Sequence, residues 1–111
     1  MEKVAFKNSR NKTLIGNLSS LKSKSIIIFT HALANDKSER GKLDAVTNKL
    51  NESGFNTLAF DFSGCGESDD DTISVEKQVD DLKSAIKFVK KKGFEKIALF
   101  GHSLFFICLI I

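Results

Sequence analysis

The chain has 111 residues, 41% hydrophobic and 28% charged, which is typical of one small globular domain and not of a disordered segment. Its net charge of +3 is mild and its basic residues are not interleaved with aromatic ones, so we expect no nucleic-acid partner. Cys65 and Cys108 form neither a disulfide framework nor a zinc pattern. No secretory leader and no apolar run of about 20 residues is apparent, so we expect a cytoplasmic protein without a membrane partner.

The first predicted elements are two short strands, over residues 4–6 and 13–18, separated by a turn-like stretch at 8–12. Their partial alternation of apolar and polar residues is typical of an antiparallel pair at a sheet edge. The run Ser25–Thr30 is continuously apolar and rich in β-branched residues, which predicts a strand buried on both faces.

Helices and strands alternate in the rest of the chain. Leu43, Val46 and Leu50 share one helical face, and Gly54 stands where a C-terminal cap is expected. Thr57–Asp61 is predicted to be the next strand.

A second helix carries the clearest apolar stripe of the sequence, formed by Val75, Val79, Leu82, Ile86 and Val89. Gly93 follows the lysines at its end. Lys96–Phe100 is predicted to be the last strand and, like Ser25–Thr30, to be buried on both faces.

The order of elements is therefore β-β-β-α-β-α-β, which predicts an α/β fold. We expect a mostly parallel sheet with an N-terminal antiparallel pair and helices on both faces. The predicted organisation is a single domain over 1–111, with a strand pair at 1–24, a βαβαβ core at 25–104 and an atypical apolar tail at 105–111.

Functional residues are expected after the strands, because ligands bind at the carboxyl ends of parallel strands. The most informative segment is Gly101-His102-Ser103, at the end of the last strand. A Gly-x-Ser at this place is typical of a nucleophile elbow, a tight strand-to-helix turn that exposes the serine hydroxyl. The N-terminus of the following helix favours negative charge that develops there.

With two further segments, this motif resembles the α/β-hydrolase family, in particular its serine aminopeptidase-like and esterase- or lipase-like members. The segment 28–31 (Ile-Phe-Thr-His) resembles the strand that ends in His-Gly, and 61–68 (Asp-Phe-Ser-Gly-Cys-Gly-Glu-Ser) matches the family's D-x-x-G-x-G-x-S loop. The segment 100–104 (Phe-Gly-His-Ser-Leu) matches the elbow, and the likeness runs from about 13 to 104.

The resemblance implies a serine hydrolase that cleaves ester, thioester or peptide bonds through an acyl-serine intermediate, without cofactor or metal. It implies Ser103 as the nucleophile, the Leu104 N–H as one oxyanion donor, and the N–H of Leu33 or Ala32 as the second. Supporting roles are implied for His31, Ala32, Gly101, His102, Asp61, Gly64, Gly66 and Ser68. Both histidines are expected to be structural, and neither is expected to be the general base.

The sequence departs from the family at Ala32, where glycine is usual, and at Phe105 and Phe106, where glycines are usual. Alanine fits at 32 only if the backbone there avoids positive φ. Because the acid and the histidine of the triad follow the serine in this fold, and none follows Ser103, we expect a chain truncated or frameshifted after the elbow and inactive by itself. We also expect self-association through an exposed apolar sheet edge.

Other functions remain as alternatives. The chain could be a non-catalytic fragment or interaction scaffold. A Rossmann-like nucleotide binder is disfavoured, because the Gly-rich run 64–69 ends in Asp69 and follows the fourth strand. The acidic run 69–71 is interpreted as a solvated loop before a helix, and Cys65 as an unreactive thiol.

Overall fold

The structure, a computed structural model, describes residues 1–20, 23–32 and 35–101. The described strands are β1 (Glu2–Lys7), β2 (Thr13–Ser19), β3 (Ser25–Thr30), β4 (Asn56–Phe60) and β5 (Lys96–Gly101), and the helices are α1 (Lys42–Glu52) and α2 (Val75–Lys91). The predicted order of elements is confirmed. The bounds differ from the prediction by at most two residues at any strand end.

The strands form one mixed sheet in the order β1-β2-β4-β3-β5. β2 pairs antiparallel with β1 and with β4, whereas β3 pairs parallel with both β4 and β5. The prediction of an α/β fold with an N-terminal antiparallel pair at the sheet edge is thus confirmed.

The two helices cover opposite faces of the sheet, because successive side chains of a strand point to opposite sides. The larger core includes Leu82, Ala85 and Val89 of α2, packed against strand residues such as Ile28 and Leu58. On the other face, Leu43 of α1 packs with the strand residues Phe29 and Ala59. Both predicted helix-terminating glycines, Gly54 and Gly93, have the left-handed φ that favours glycine.

The prediction that Lys96–Phe100 is buried on both faces is wrong for the described part of the chain. β5 is an edge strand there, with β3 as its described neighbour, and Leu99 and Phe100 are 39% and 40% exposed. Two members of the predicted helical stripes, Val46 and Val75, are exposed as well. Apolar periodicity identifies the face of an element, but a side chain on that face is buried only if another element covers it.

Neither described helix is both long enough and apolar enough to cross a bilayer. The predicted domain boundary at 104 and the tail 105–111 lie outside the described residues.

Candidate active site

Parallel pairing places the ends of β3 and β5 side by side. Thr30 and Gly101 are register partners, and the Thr30 hydroxyl donates to the Phe100 carbonyl at 3.3 Å. Gly101, the described residue of the Gly-x-Ser motif, therefore lies next to the point where the loop after β3 begins. The predicted site residues Leu33, His102, Ser103 and Leu104 lie outside the described residues.

His31 is fully buried directly after β3, and protein groups occupy both of its ring nitrogens. Nε2 accepts from the Phe62 N–H at 3.1 Å, and Nδ1 lies 2.7 Å from the Ala32 carbonyl oxygen. Because a carbonyl only accepts, the proton is on Nδ1. Burial lowers the pKa of His31, which keeps the ring neutral. His31 thus links the loops after β3 and β4 and has no free nitrogen to act as a general base.

Ala32 replaces the usual glycine without backbone strain. The described non-glycine residues with left-handed φ are Asn11, Glu39 and Arg40, so the condition for alanine at 32 is met. The Ala32 N–H donates to the Glu39 carboxylate. The Ala32 amide, one of the two that the resemblance implied as the second oxyanion donor, is therefore engaged by Glu39.

Asp61 organises the loop after β4 and is fully buried. Its carboxylate accepts from the Lys37 backbone N–H and from the Lys37 ammonium, both at 2.7 Å, and from the Glu67 N–H at 2.9 Å. Gly66 lies directly against it, since a Cβ at 66 would be 2.4 Å from the Asp61 carboxylate. This explains why the loop motif begins with Asp and has Gly five residues later.

The other motif residues fix the same loop to the sheet. Gly64 has a left-handed φ of +81°, and a Cβ there would lie 2.4 Å from the Asp71 carbonyl oxygen. The Ser68 hydroxyl donates to the Asp61 carbonyl at 2.7 Å and accepts from the Ile15 N–H of β2 at 2.9 Å. Asp61, Gly64, Gly66 and Ser68 therefore shape this loop. Their supporting role at an active site, which the resemblance implied, stays a prediction.

Lys37 is a buried cation in the loop after β3, and sequence reasoning did not identify it. Its ammonium binds Asp61 at 2.7 Å and Glu67 at 2.9 Å. Burial lowers the pKa of Lys37, but the hydrogen bonds to the two carboxylates outweigh this and the net shift is upward. Hydrogen bonds from Lys3 and Lys37 lower the pKa of Glu67 to about 2. The one sequence signal is Asp61 itself, because a carboxylate at the end of a buried strand needs a partner.

Arg10, in the turn between β1 and β2, forms a second, partly buried ionic cluster that the sequence did not reveal. It pairs with Asp71 at 3.0 Å, with Asp81 at 3.3 Å and with Asp80. It also donates to the Ser63 hydroxyl at 2.9 Å. The cluster attaches the N-terminal hairpin to α2 and to the loop after β4.

Asp69 and Asp70 are exposed, as expected of a solvated loop, but two carboxylates of the acidic run 69–71 also make specific contacts. The Asp69 carboxylate accepts from the Thr13 N–H at 2.7 Å, and Asp71 pairs with Arg10 and with Lys77. Hydrogen bonds from Lys77 and Arg10 hold the pKa of Asp71 well below its usual range. These two carboxylates connect secondary-structure elements, although the run does precede a helix as predicted.

Among the described residues, no group of three acidic, histidine or cysteine side chains is arranged to bind a metal ion. Cys65 is a free, buried thiol, and burial together with nearby aspartates raises its pKa. A thiol in this environment remains protonated at neutral pH, and a protonated thiol is a poor nucleophile.

Comparison with known proteins gives a family and a set of similar folds. The family described as serine aminopeptidase, S33 matches residues 22–104. The Pyrococcus furiosus esterase Pf2001 is 26% identical with a TM-score of 0.83, and the match covers 90% of this chain and 41% of that one. Est1E from Butyrivibrio proteoclasticus, with ferulic acid bound, is 26% identical with a TM-score of 0.79, and the match covers 90% of this chain and 42% of that one.

A third similar structure is the α/β hydrolase GrgF from Penicillium sp. sh18, at 24% identity and a TM-score of 0.81, over 90% of this chain and 36% of that one. A search of the curated proteins found no match. The chain spans about two fifths of the length of the solved structures it resembles.

Proposed function

This chain belongs to the serine aminopeptidase S33 family of α/β-hydrolases, and from that premise we propose that it is a serine hydrolase with Ser103 as its nucleophile. The observation that carries the proposal is the register of β3 and β5, in which Thr30 is paired with Gly101. Ser103 follows Gly101 by two residues in the sequence, and the loop after β3 begins directly after Thr30. Acyl transfer requires an attacking hydroxyl and an oxyanion donor close to each other.

The proposed reaction is acyl transfer through a covalent intermediate. The Ser103 hydroxyl attacks the carbonyl carbon of the substrate and transfers its proton to a base. The N–H groups of Leu104 and Leu33 donate to the oxyanion that forms. The alcohol, thiol or amine then leaves with a proton, and water hydrolyses the acyl-serine.

We propose carboxylic esters as the first substrates to test, before thioesters and peptides. The support is that Pf2001, 26% identical to this chain, is an esterase by description. Est1E, also 26% identical, has a carboxylic acid, ferulic acid, bound. The reaction class needs no cofactor. A free thiol at Cys65 supports a reducing, cytoplasmic location.

The source of the general base determines how the proposal is tested. His31 cannot serve, because both of its ring nitrogens are engaged. A serine hydroxyl without a base remains protonated, so we expect slow reaction of the 111-residue chain with a fluorophosphonate probe. Imidazole added to the buffer supplies a base from solution and should accelerate labelling.

The experiment compares the wild type with Ser103→Ala, with and without imidazole, and locates the adduct by peptide mass spectrometry. Labelling at position 103 that imidazole increases and that the variant lacks would support the proposal. Equal labelling of the two proteins in both buffers would refute it. That result would favour the second candidate, a non-catalytic scaffold.

A further inference from the structure

The loops after β3 and β4 are joined by an ionic contact and by a neutral one. In the ionic contact, the Lys37 ammonium binds Asp61 at 2.7 Å and Glu67 at 2.9 Å. In the neutral contact, Nε2 of His31 accepts the Phe62 N–H at 3.1 Å. The pKa of Glu67 is about 2, so this carboxylate keeps its charge in mild acid. An imidazole ordinarily titrates between pH 5 and 8, so the neutral contact is sensitive to that range.

The neutral contact depends on the protonation state of the imidazole. Nδ1 holds its proton towards the Ala32 carbonyl oxygen, 2.7 Å away, and Nε2 must be unprotonated to accept the Phe62 N–H. Because Nδ1 is already protonated, a second proton has to bind at Nε2. The Nε2–H and the Phe62 N–H would then face each other as two donors, and this hydrogen bond would be lost.

The imidazole of His31 lies in an apolar and buried environment. His31, Phe62 and Phe60 are each 0% exposed. The His31 ring meets the Phe62 ring edge-on, with 5.0 Å between the centroids, and Phe62 in turn packs edge-on against Phe60 at 5.1 Å. Burial disfavours the charged form of a histidine, because it removes the water that would solvate the charge. Hydration of a charged ring therefore requires that His31 and Phe62 move apart.

Three carboxylates face the ring and favour its charged form, those of Asp61, Glu39 and Asp36. Backbone N–H groups already donate to all three, and the Lys37 ammonium donates to Asp61. Burial outweighs the attraction of these carboxylates, so the pKa of His31 is below its ordinary value of 6.5. Since opening of the loops would restore the ordinary value, the closed contact is most stable above pH 6.5 and loses stability as the pH falls below it.

We propose that His31 is an acid-sensitive switch between the loops after β3 and β4. Protonation at Nε2 breaks the contact with Phe62 and separates the two loops locally, while the sheet stays folded. Ser63 keeps the loop after β4 in place, because its N–H donates to Asp81 of α2 at 2.9 Å and its hydroxyl accepts from Arg10 at 2.9 Å. The inference does not depend on the proposed hydrolase activity.

Two variants of the full chain are compared with the wild type. His31→Gln supplies an amide oxygen as the acceptor, and this side chain does not titrate. His102→Gln is the matched control, because it removes the other of the two histidines of the chain and leaves His31 intact. The readout is the protection of the Phe62 amide against hydrogen exchange, measured by ¹⁵N NMR from pH 7.5 to 5.5 and corrected for the intrinsic pH dependence of exchange. The amide of Leu58, in β4 between two neighbouring strands, reports whether the sheet itself opens.

In the wild type and in His102→Gln, we expect the protection factor of Phe62 to fall about tenfold from pH 7.5 to 5.5, because pH 5.5 is about one unit below the pKa of an exposed histidine. The protection factor of Leu58 should stay constant, and that of Phe62 should not depend on pH in His31→Gln. The ring ¹⁵N shifts of His31 give a second measurement on the wild type. We expect the neutral Nδ1–H tautomer to predominate at pH 6.5, where an exposed histidine is half protonated.

Three results would overturn the inference. An equal loss of protection at Phe62 in His31→Gln would mean that another group titrates. A parallel loss at Leu58 would mean that acid unfolds the sheet and does not act on the contact between the loops. A His31 ring that is half protonated at pH 6.5 while Phe62 stays protected would show that the closed contact accommodates the charge. The last two results are obtained on the wild type alone, so the test remains decisive if His31→Gln does not fold.

Discussion

Replacing Gly66 by alanine tests the packing of the loop after β4 most directly. The new Cβ would lie 2.4 Å from both Cγ and Oδ2 of Asp61, closer than any real contact of a Cβ. Asp61 cannot turn aside cheaply, because it is buried and accepts two hydrogen bonds from Lys37 and one from Glu67. The substitution must therefore either move the ion pair or distort the loop.

The expected loss of folding stability in Gly66→Ala has three contributions: backbone strain, over-packing and damage to the ion pair. Left-handed backbone costs alanine about 1–2 kcal/mol. Over-packing adds about 1–3 kcal/mol, and complete loss of a buried ion pair costs about 3–5 kcal/mol. Gly54→Ala is the matched control, because Gly54 also has a left-handed φ, at +92°. A Cβ at Gly54 would have no atom of the described residues within 4 Å. We expect Gly66→Ala to lose about 2–4 kcal/mol more than Gly54→Ala.

The assay is urea denaturation of the two variants and the wild type, followed by far-ultraviolet circular dichroism. A typical domain has about 5–15 kcal/mol of stability in total, so the expected difference is a large part of it. If backbone strain alone decided the outcome, the two alanine variants would lose similar amounts. Equal losses, within about 0.5 kcal/mol, would therefore refute the assignment of Gly66 to close packing against Asp61.

Three other predictions concern charge and the sheet edge. Asp61→Asn leaves the buried Lys37 ammonium without its closest carboxylate, and we expect a loss of about 3 kcal/mol by urea denaturation. Glu67 has a pKa lowered from 4.5 to about 2 in the folded chain, so its contribution is present above pH 4.5 and is lost as the pH falls towards 2. The urea midpoint should decline over that window, less steeply in Glu67→Gln and less steeply in high salt, because half of this side chain is exposed. Leu99→Lys places a charge on the exposed edge strand β5 and should reduce association in light scattering; a wild type that is monomeric at every concentration would contradict this.

The sequence predicts the fold well because each element carries a local signal. Val79, Leu82 and Val89 lie on one helical face, and Gly93 terminates that helix, so α2 follows from spacing and capping alone. Continuous apolar runs predict β3 in the same way. These signals concern residues within a few positions of one another, which is the range over which periodicity is informative.

The charged contacts of the site could not be predicted, because they connect distant positions. Lys37 and Asp61 are 24 residues apart, and Arg10 pairs with side chains 61 to 71 residues away. No spacing rule relates such positions before the sheet order is known. The exposure of β5 likewise depends on whether another element lies beside it. The sequence of β5 alone is typical of a buried strand.

The order of the strands has a consequence for how the chain folds during synthesis. The hairpin of β1 and β2 leaves the ribosome before its partners, since β2 pairs with β4 and Arg10 binds Asp80 and Asp81 of α2. The hairpin must therefore wait until α2 has emerged, and an isolated two-stranded hairpin is at best marginally stable. Such non-local contacts slow folding, so this hairpin is expected to dock after the elements that are made later.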